Sequence, residues 1–185
     1  LRSDSVVVYD VRESGDQERL RTEGPIAELR ARFGKADGWT MEQVGAVVDL
    51  DNMTAWLLSV LFCGTRDIEQ GTLVHDPARR GAQWFWVAWD YDVSFGRRDS
   101  DFGPSDSVHM QWLFGPSVRK ETDDRAILVQ HLLSTSEPFR QKFARRFVFA
   151  RDSLLTADFI EGTLTTYERA AAENGITDVR YQALM

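Results

Sequence analysis

The sequence is poor in cysteine, in lysine and in long uncharged runs. Cys63 is the only cysteine, which excludes a disulfide framework and a zinc site built from cysteines. The longest run without a charged residue, Asn52 to Thr65, is too short to cross a bilayer as a helix. The 29 acidic residues outnumber the 22 basic ones, and the net charge is −7. This balance argues against broad contact with nucleic acid or with an anionic membrane surface.

The chain has enough apolar residues to form a core without disulfides or bound metal. It contains 185 residues, of which 43% are hydrophobic. No internal repeat, low-complexity tract or domain boundary is visible in the sequence. We therefore expect a single domain over residues 1–185.

The hydrophobic patterns predict an α+β fold that is mostly helical. A β-branched run within Ser5–Val11 predicts a strand, and two further runs, Thr72–His75 and Trp84–Trp89, predict a small β-hairpin. A polar turn is expected around Ser14–Asp16. The predicted helices are Pro25–Phe33, a short helix opened by the capping-box pair Thr40 and Gln43, Met53–Cys63, and a helical last third with starts at Arg125, Ser136 and Thr156.

The run from Met53 to Cys63 is apolar on all sides, which is typical of a central buried helix. Its large side chains are therefore expected in the core: Trp56, Leu57, Leu61 and Phe62. Two acids precede this run, Asp49 and Asp51. Both are expected to cap the helix rather than to bind metal.

Two acidic loops follow rigid elements of the predicted fold. Asp67 follows the buried helix, and Asp90 follows the hairpin. Helix, acidic loop, hairpin and second acid is also the order of kinase active sites. There the first aspartate orients the acceptor hydroxyl and the second holds Mg²⁺ on the nucleotide phosphates. Carboxylates suit both tasks, because they accept protons and are hard oxygen ligands.

Three stretches of the sequence together resemble the CotH family, a group of spore-coat-H-like, atypical kinase-like proteins. They are Val48-Asp49-Leu50-Asp51-Asn52 before the apolar helix, Asp67 in the next loop, and Trp89-Asp90-Tyr91-Asp92-Val93-Ser94-Phe95-Gly96. The closing helices, entered through Ser136–Arg140, are similar too. The resemblance extends from about Val6 onward, and the segment from Trp89 to Gly96 is its most specific part.

The resemblance implies a kinase-like fold that uses ATP and Mg²⁺ to phosphorylate a protein. By position, it makes Asp67 the catalytic aspartate and Asp90 the metal-binding aspartate. Asp92, Gln70 and Thr72 would contribute to the nucleotide site. The implied substrate is a coat or surface protein. The implied location is a bacterial spore coat, the cell surface or the outside of the cell after secretion.

Two departures from the kinase pattern affect this interpretation. Thr72 stands five residues after Asp67, where protein kinases place a metal-binding Asn. The three lysines, Lys35, Lys120 and Lys142, lie on no convincing strand, and no Gly-rich loop precedes Val6. We therefore expect the chain to represent a carboxy-terminal lobe without its nucleotide-binding lobe, and to turn over little ATP by itself.

Two other classes of function stay open. The first is a non-catalytic spore-coat or cell-surface interaction module of the same fold, which the missing Asn and lysine favour. The second is a glycoside-acting enzyme that uses Asp67 and Asp90, with a sugar-stacking platform of Trp84, Trp86 and Trp89. A continuous apolar strand is, however, more typical of a core.

Overall fold

The computed structural model describes residues 6–10, 13–34, 38–63, 71–78, 81–88 and 124–175. In these ranges the fold is mostly helical α+β with a small antiparallel sheet, as predicted. The elements are β1 (Val7–Asp10), α1 (Ser14–Glu23), α2 (Pro25–Phe33), α3 (Met41–Gly45), α4 (Leu50–Cys63), β2 (Thr72–His75), β3 (Trp84–Val87), α5 (Asp124–Thr135), α6 (Glu137–Phe149) and α7 (Ala157–Glu173). A π-helical turn, Ala150–Leu154, joins α6 to α7.

The three strands form one antiparallel sheet in the order β1-β2-β3. The hairpin of β2 and β3 is confirmed, and β1 adds to the free edge of β2, with Asp10 opposite Thr72. The other edge of the sheet is covered by the chain before α4. Trp84 N donates to Val47 O at 2.8 Å, and Asp49 N donates to Trp84 O at 2.8 Å. The start of α4 is therefore fixed to β3 by backbone hydrogen bonds.

One face of the sheet forms the centre of the core. Tyr9, Leu73 and Trp86 lie side by side across the three strands, and all three are buried. Trp56 of α4 stacks on Trp86 with ring centroids 6.4 Å apart, and Tyr9 stacks on Trp84 at 5.8 Å. Aromatic side chains bury large areas and their stacked pairs add further attraction. The Trp56–Trp86 pair explains why α4 packs against this sheet.

Helix α1 was not predicted, because its sequence lacks an apolar stripe. A polar turn was expected at Ser14–Asp16, yet the helix begins there and buries only Leu20. Side-chain bonds hold it to β1 instead. Asp16 Oδ2 accepts from the backbone N of Asp10 at 2.9 Å, and the Tyr9 hydroxyl donates to Glu23 Oε2 at 2.6 Å. These contacts with a distant strand cannot be read from local periodicity.

The predicted bounds of α2 and the start of α3 are confirmed. Pro25 occupies the first turn of α2, and the helix ends at Gly34, whose φ of +81° favours glycine. In α3, Thr40 Oγ1 accepts from Gln43 N at 3.2 Å, while Gln43 Oε1 accepts from Thr40 N at 2.9 Å. This reciprocal pair is the capping box that the sequence indicated.

Helix α4 is buried on one face only, so the prediction for Phe62 is wrong. The buried residues include Met53, Trp56, Leu57 and Val60, at helical spacing. Leu61 is half-buried, and Phe62 is 43% exposed. Two residues after Val60, Phe62 points to nearly the opposite side of the helix. Nearly every residue from Met53 to Cys63 is apolar, so the sequence did not indicate this one-sided burial.

The described residues belong to two compact units, divided between Lys142 and Phe143 within α6. The first unit contains the sheet, α1 to α5 and the beginning of α6. There Ser136 Oγ accepts from Phe139 N at 3.3 Å, so Ser136 caps α6 as predicted.

The second unit contains the end of α6, the π-helical turn and α7. Thr156 caps α7 by accepting from Phe159 N at 3.3 Å, also as predicted. Among the described helices of both units, none is long and apolar enough to cross a membrane.

Candidate functional site

The segments that carry the two predicted acids attach to the same end of the hairpin. Thr72, the first residue of β2, pairs with Val87, the last residue of β3. Asp67 lies five residues before Thr72, and Asp90 lies three residues after Val87. Because the strands are antiparallel, the chain enters β2 and leaves β3 at the same end of these two strands. We call this end, defined by Gly71, Thr72 and Val87, the hairpin end.

Only one of the five predicted site residues lies in a described range. Asp67, Gln70, Asp90 and Asp92 lie outside the described residues, and their roles remain predictions. Thr72 is half-buried, with Asp10 of β1 and Val87 of β3 as its partners on either side.

Asn52 fixes the hairpin to α4 one residue before the hairpin end. Its Oδ1 accepts from Trp86 N at 2.7 Å, and its Nδ2 donates to Trp86 O at 3.0 Å. The amide side chain therefore pairs with Trp86 as a further strand would. This contact gives a structural role to one residue of the Val48–Asn52 segment.

The two acids of that segment have different roles. Asp49 Oδ1 accepts from the backbone N of Asp51 at 3.0 Å and of Asn52 at 2.9 Å, so Asp49 caps α4 as predicted. Asp51 does not act as a cap, and this part of the prediction is wrong. It lies inside the first turn, and its carboxylate pairs with Lys142 Nζ of α6 at 2.7 Å.

A buried arginine, which was not among the predicted site residues, lies at the hairpin end. Arg125, in the first turn of α5, has no exposed surface, and its Cζ lies 5.3 Å from the centre of the Trp56 ring. A Cβ atom at Gly71 would overlap Nη1 of Arg125 and would lie 3.9 Å from Val87 O. Arg125 therefore contacts the start of β2 and the face of α4. A cation in the first turn of a helix is disfavoured by the helix dipole. An arginine at this position was therefore the available signal that its side chain has another role.

The family described as CotH kinase protein matches residues 10–182, which is most of the chain. The chain belongs to the CotH family. No curated protein and no solved structure matches it. The recognition made from Asp67 and the Trp89–Gly96 segment is thus confirmed at the level of the family, and this supports a kinase-like function.

The CotH assignment implies ATP and a divalent metal ion, and the described part of the hairpin end offers oxygen donors of the right type. Thr72 carries a hydroxyl, and Asp10 opposite it carries a carboxylate. Mg²⁺ prefers oxygen ligands of this kind. Within the described ranges, no group of three or more His, Cys, Asp or Glu side chains could hold a metal ion. Binding of Mg²⁺ at the hairpin end would therefore also require the predicted acids Asp67 and Asp90, in the segments that flank the hairpin.

The two described histidines of the CotH chain, His75 and His131, each contact a tryptophan. The ring of His75 packs on Trp84 with centroids 5.1 Å apart, and His131 Nε2 lies 2.8 Å from Trp39 O. Cys63 is half-buried, and burial raises the pKa of its thiol, which disfavours the thiolate form.

Two of the three tryptophans in the glycosidase alternative are core residues. Trp84 and Trp86 are 4% and 3% exposed, so neither presents a ring to a sugar. Trp84 Nε1 also donates to Glu28 Oε2 at 3.0 Å, which ties β3 to α2. Trp89 lies outside the described residues. The platform on which this alternative depended is therefore not formed by Trp84 and Trp86.

A charged cluster around Tyr9 stabilises the junction of β1 and α1. Burial, followed by the hydrogen bond to Glu23, raises the pKa of Tyr9 to about 12. The same hydrogen bond holds the pKa of the Glu23 carboxyl below its usual value. Arg19 lies over the Tyr9 ring at 4.8 Å and donates to the hydroxyl at 3.2 Å. The cluster thus orients β1, which ends at Asp10 beside Thr72.

Proposed function

We propose that this CotH chain carries the acidic half of a site that transfers phosphate from ATP to a protein hydroxyl. The observation that supports it most is the pairing of Thr72 with Val87 in a chain of this family. This pairing brings the entry to β2 and the exit from β3 together. The two acid-bearing segments are attached at these points, and phosphoryl transfer requires two acids that face one substrate.

Each proposed site residue has a role that its chemistry permits. Asp67 would accept the proton of the substrate hydroxyl as a general base. Asp90 would hold Mg²⁺, with Asp92 as a supporting acid, while Thr72 and Gln70 would offer neutral oxygens near the phosphates. When bound, Mg²⁺ neutralises charge on the phosphate oxygens. The proposed substrate is a coat or surface protein at a bacterial spore or cell surface.

The proposal includes a cation from a nucleotide-binding lobe outside residues 1–185. Phosphoryl transfer normally uses a lysine beside the nucleotide phosphates. Lys142 lies on helix α6 and is paired with Asp51 at 2.7 Å. The other two lysines, Lys35 and Lys120, lie outside the described residues. Lys142 is therefore not assigned to the nucleotide site, and the supply of the lysine by another lobe stays a prediction.

Calorimetric titration of the natural full-length protein with Mg²⁺ and ATP tests the proposal. We expect Mg²⁺-dependent binding that Asp90→Asn abolishes. Asp76→Asn is the matched control, since Asp76 lies at the opposite end of the hairpin and accepts from Ala78 N at 2.9 Å, a bond that Asn can keep. Absence of binding by the unmodified full-length protein would reject the phosphotransferase. Tight binding by residues 1–185 alone would reject the second lobe but not the function.

The non-catalytic interaction module stays as the second candidate, and one observation favours it. Helix α7 exposes large apolar side chains on its surface, among them Phe159, Leu164 and Tyr167, the last 71% exposed. Exposed apolar groups of this kind mark contact surfaces in other proteins. This candidate is favoured if the full-length protein binds no nucleotide at millimolar ATP and Mg²⁺.

A further inference from the structure

We propose that Arg125 is a positioning residue. It fixes the hairpin end and thereby holds the proposed acids, Asp67 and Asp90, in the relative position that phosphoryl transfer requires. The proposal rests on the phosphotransfer function proposed above. Arg125 gives α5 a role in the proposed site, whereas none of the predicted site residues lies on α5. The contacts that carry it all lie within the described residues of the first unit.

The burial of Arg125 indicates a specific contact. A guanidinium removed from water is costly unless its surroundings replace the lost hydration. Arg125 has no exposed surface, and one of its neighbours is the Trp56 ring at 5.3 Å. A guanidinium over a tryptophan face is a favourable cation–π arrangement. Since Trp56 also stacks on Trp86, the arginine lies against the aromatic pair that joins α4 to β3.

The glycine at position 71 shows how closely Arg125 approaches the start of β2. A Cβ there would overlap Nη1 of Arg125, and it would lie 3.4 Å from Cζ. The side chain of Arg125 therefore fills the space that any larger residue at 71 would need. A larger residue at position 71 would therefore require the guanidinium to move.

The position of this contact links it to both acid-bearing segments. Gly71 lies four residues after Asp67, and the nearby Val87 lies three residues before Asp90. Gly71 precedes Thr72, which pairs with Val87, so a movement of Arg125 that displaces Gly71 would shift the anchors of both segments. Phosphoryl transfer depends on positioning, and a displacement near 1 Å can lower its rate about 10²-fold. Arg125 is thus placed to influence the rate through the anchors of the two acid-bearing segments.

A double-mutant cycle tests the contact without any measurement of activity. Gly71→Ala should lower the Tm by about 3–10 °C when Arg125 is present, because the new methyl group overpacks the guanidinium. In an Arg125→Met background the same change should lower the Tm by less than about 2 °C, since methionine ends before the Nη1 position. Equal shifts of the Tm in both backgrounds would show that a methyl group at position 71 does not contact Arg125.

The kinetic test uses the full-length protein with Mg²⁺ and ATP. We expect Arg125→Met to lower kcat about 10²-fold per folded molecule while the KM for ATP changes little. Arg30→Met, at an exposed position of α2, is the matched control and should leave both constants unchanged. A role limited to stability would lower the Tm and leave kcat per folded molecule unaltered, which would overturn the proposal.

A second variant keeps the test decisive if Arg125→Met does not fold. Gly71→Ala retains the arginine but displaces it, so it should reproduce the loss of kcat. Full activity of folded Gly71→Ala would refute the positioning role. If the unmodified protein neither binds nor turns over ATP, the proposed function itself fails. The cycle then reports only whether Arg125 and Gly71 are in contact.

Discussion

Replacing Asn52 with alanine should uncouple α4 from the sheet at a cost that the structure allows us to work out. The change removes two hydrogen bonds, of 2.7 and 3.0 Å, and leaves the N–H and C=O of Trp86 without these partners. A buried backbone group without a partner costs about 1–3 kcal/mol, toward the lower value here because these bonds are part-buried. Alanine has a higher helix propensity than Asn, which returns about 0.5 kcal/mol. We expect a net loss of about 1.5–3 kcal/mol in the free energy of unfolding.

Urea denaturation followed by tryptophan fluorescence measures this loss, because Trp86 and its stacked partner Trp56 lie at the altered contact. Asn52→Asp should cost at least as much as Asn52→Ala, since it keeps an acceptor for Trp86 N but places a second carboxylate oxygen against Trp86 O. Asn174→Ala is the matched control. Its amide donates to Ala170 O at the exposed end of α7, so its loss should cost under about 0.5 kcal/mol. If Asn52→Ala costs no more than this control, the pairing of Asn52 with Trp86 does not hold α4 to the sheet.

Three further predictions concern the core, the Tyr9 cluster and a helix cap. Leu57→Ala should cost about 2–5 kcal/mol in urea unfolding, whereas Phe62→Ala on the exposed side of α4 should cost about 1 kcal/mol or less; equal losses would contradict the one-sided burial. Because the pKa of Tyr9 is raised to about 12, its contribution to stability is complete below its ordinary pKa of 10.0 and is lost as the pH rises through 12. Absorbance titration at alkaline pH should find this high pKa, and a titration near pH 10 would contradict it. Thr156→Ala should lower the stability of the second unit by about 1 kcal/mol, while Thr156→Ser, which keeps the capping hydroxyl, should not.

The parts of the fold that depend on neighbouring residues could be predicted from the sequence. Pro25 and Gly34 set the bounds of α2, and the Thr40–Gln43 capping box opens α3, because both signals act within a few residues. The hairpin was predicted for the same reason, since β2 and β3 are joined by a short turn-rich segment.

The parts that depend on distant contacts could not be predicted. Nothing within Ser14–Glu23 shows that α1 is held through Asp16 and Glu23 by hydrogen bonds to β1. The exposed position of Phe62 depends on what the other side of α4 contacts, and the mostly apolar sequence of this helix does not indicate which side that is. Of the candidate site, the acids and Thr72 were assigned through resemblance and stay predictions. Arg125 was missed because its burial is a tertiary property.

The order of strands in the sheet also has a consequence for folding. The hairpin closes over a short loop, whereas β1 must reach β2 across the whole length of α1 to α4. Bringing distant segments together costs chain entropy before any contact compensates for it. We therefore infer that β1 joins the sheet after the folding transition state, so that replacing Tyr9 should speed unfolding in stopped-flow experiments and leave the folding rate nearly unchanged.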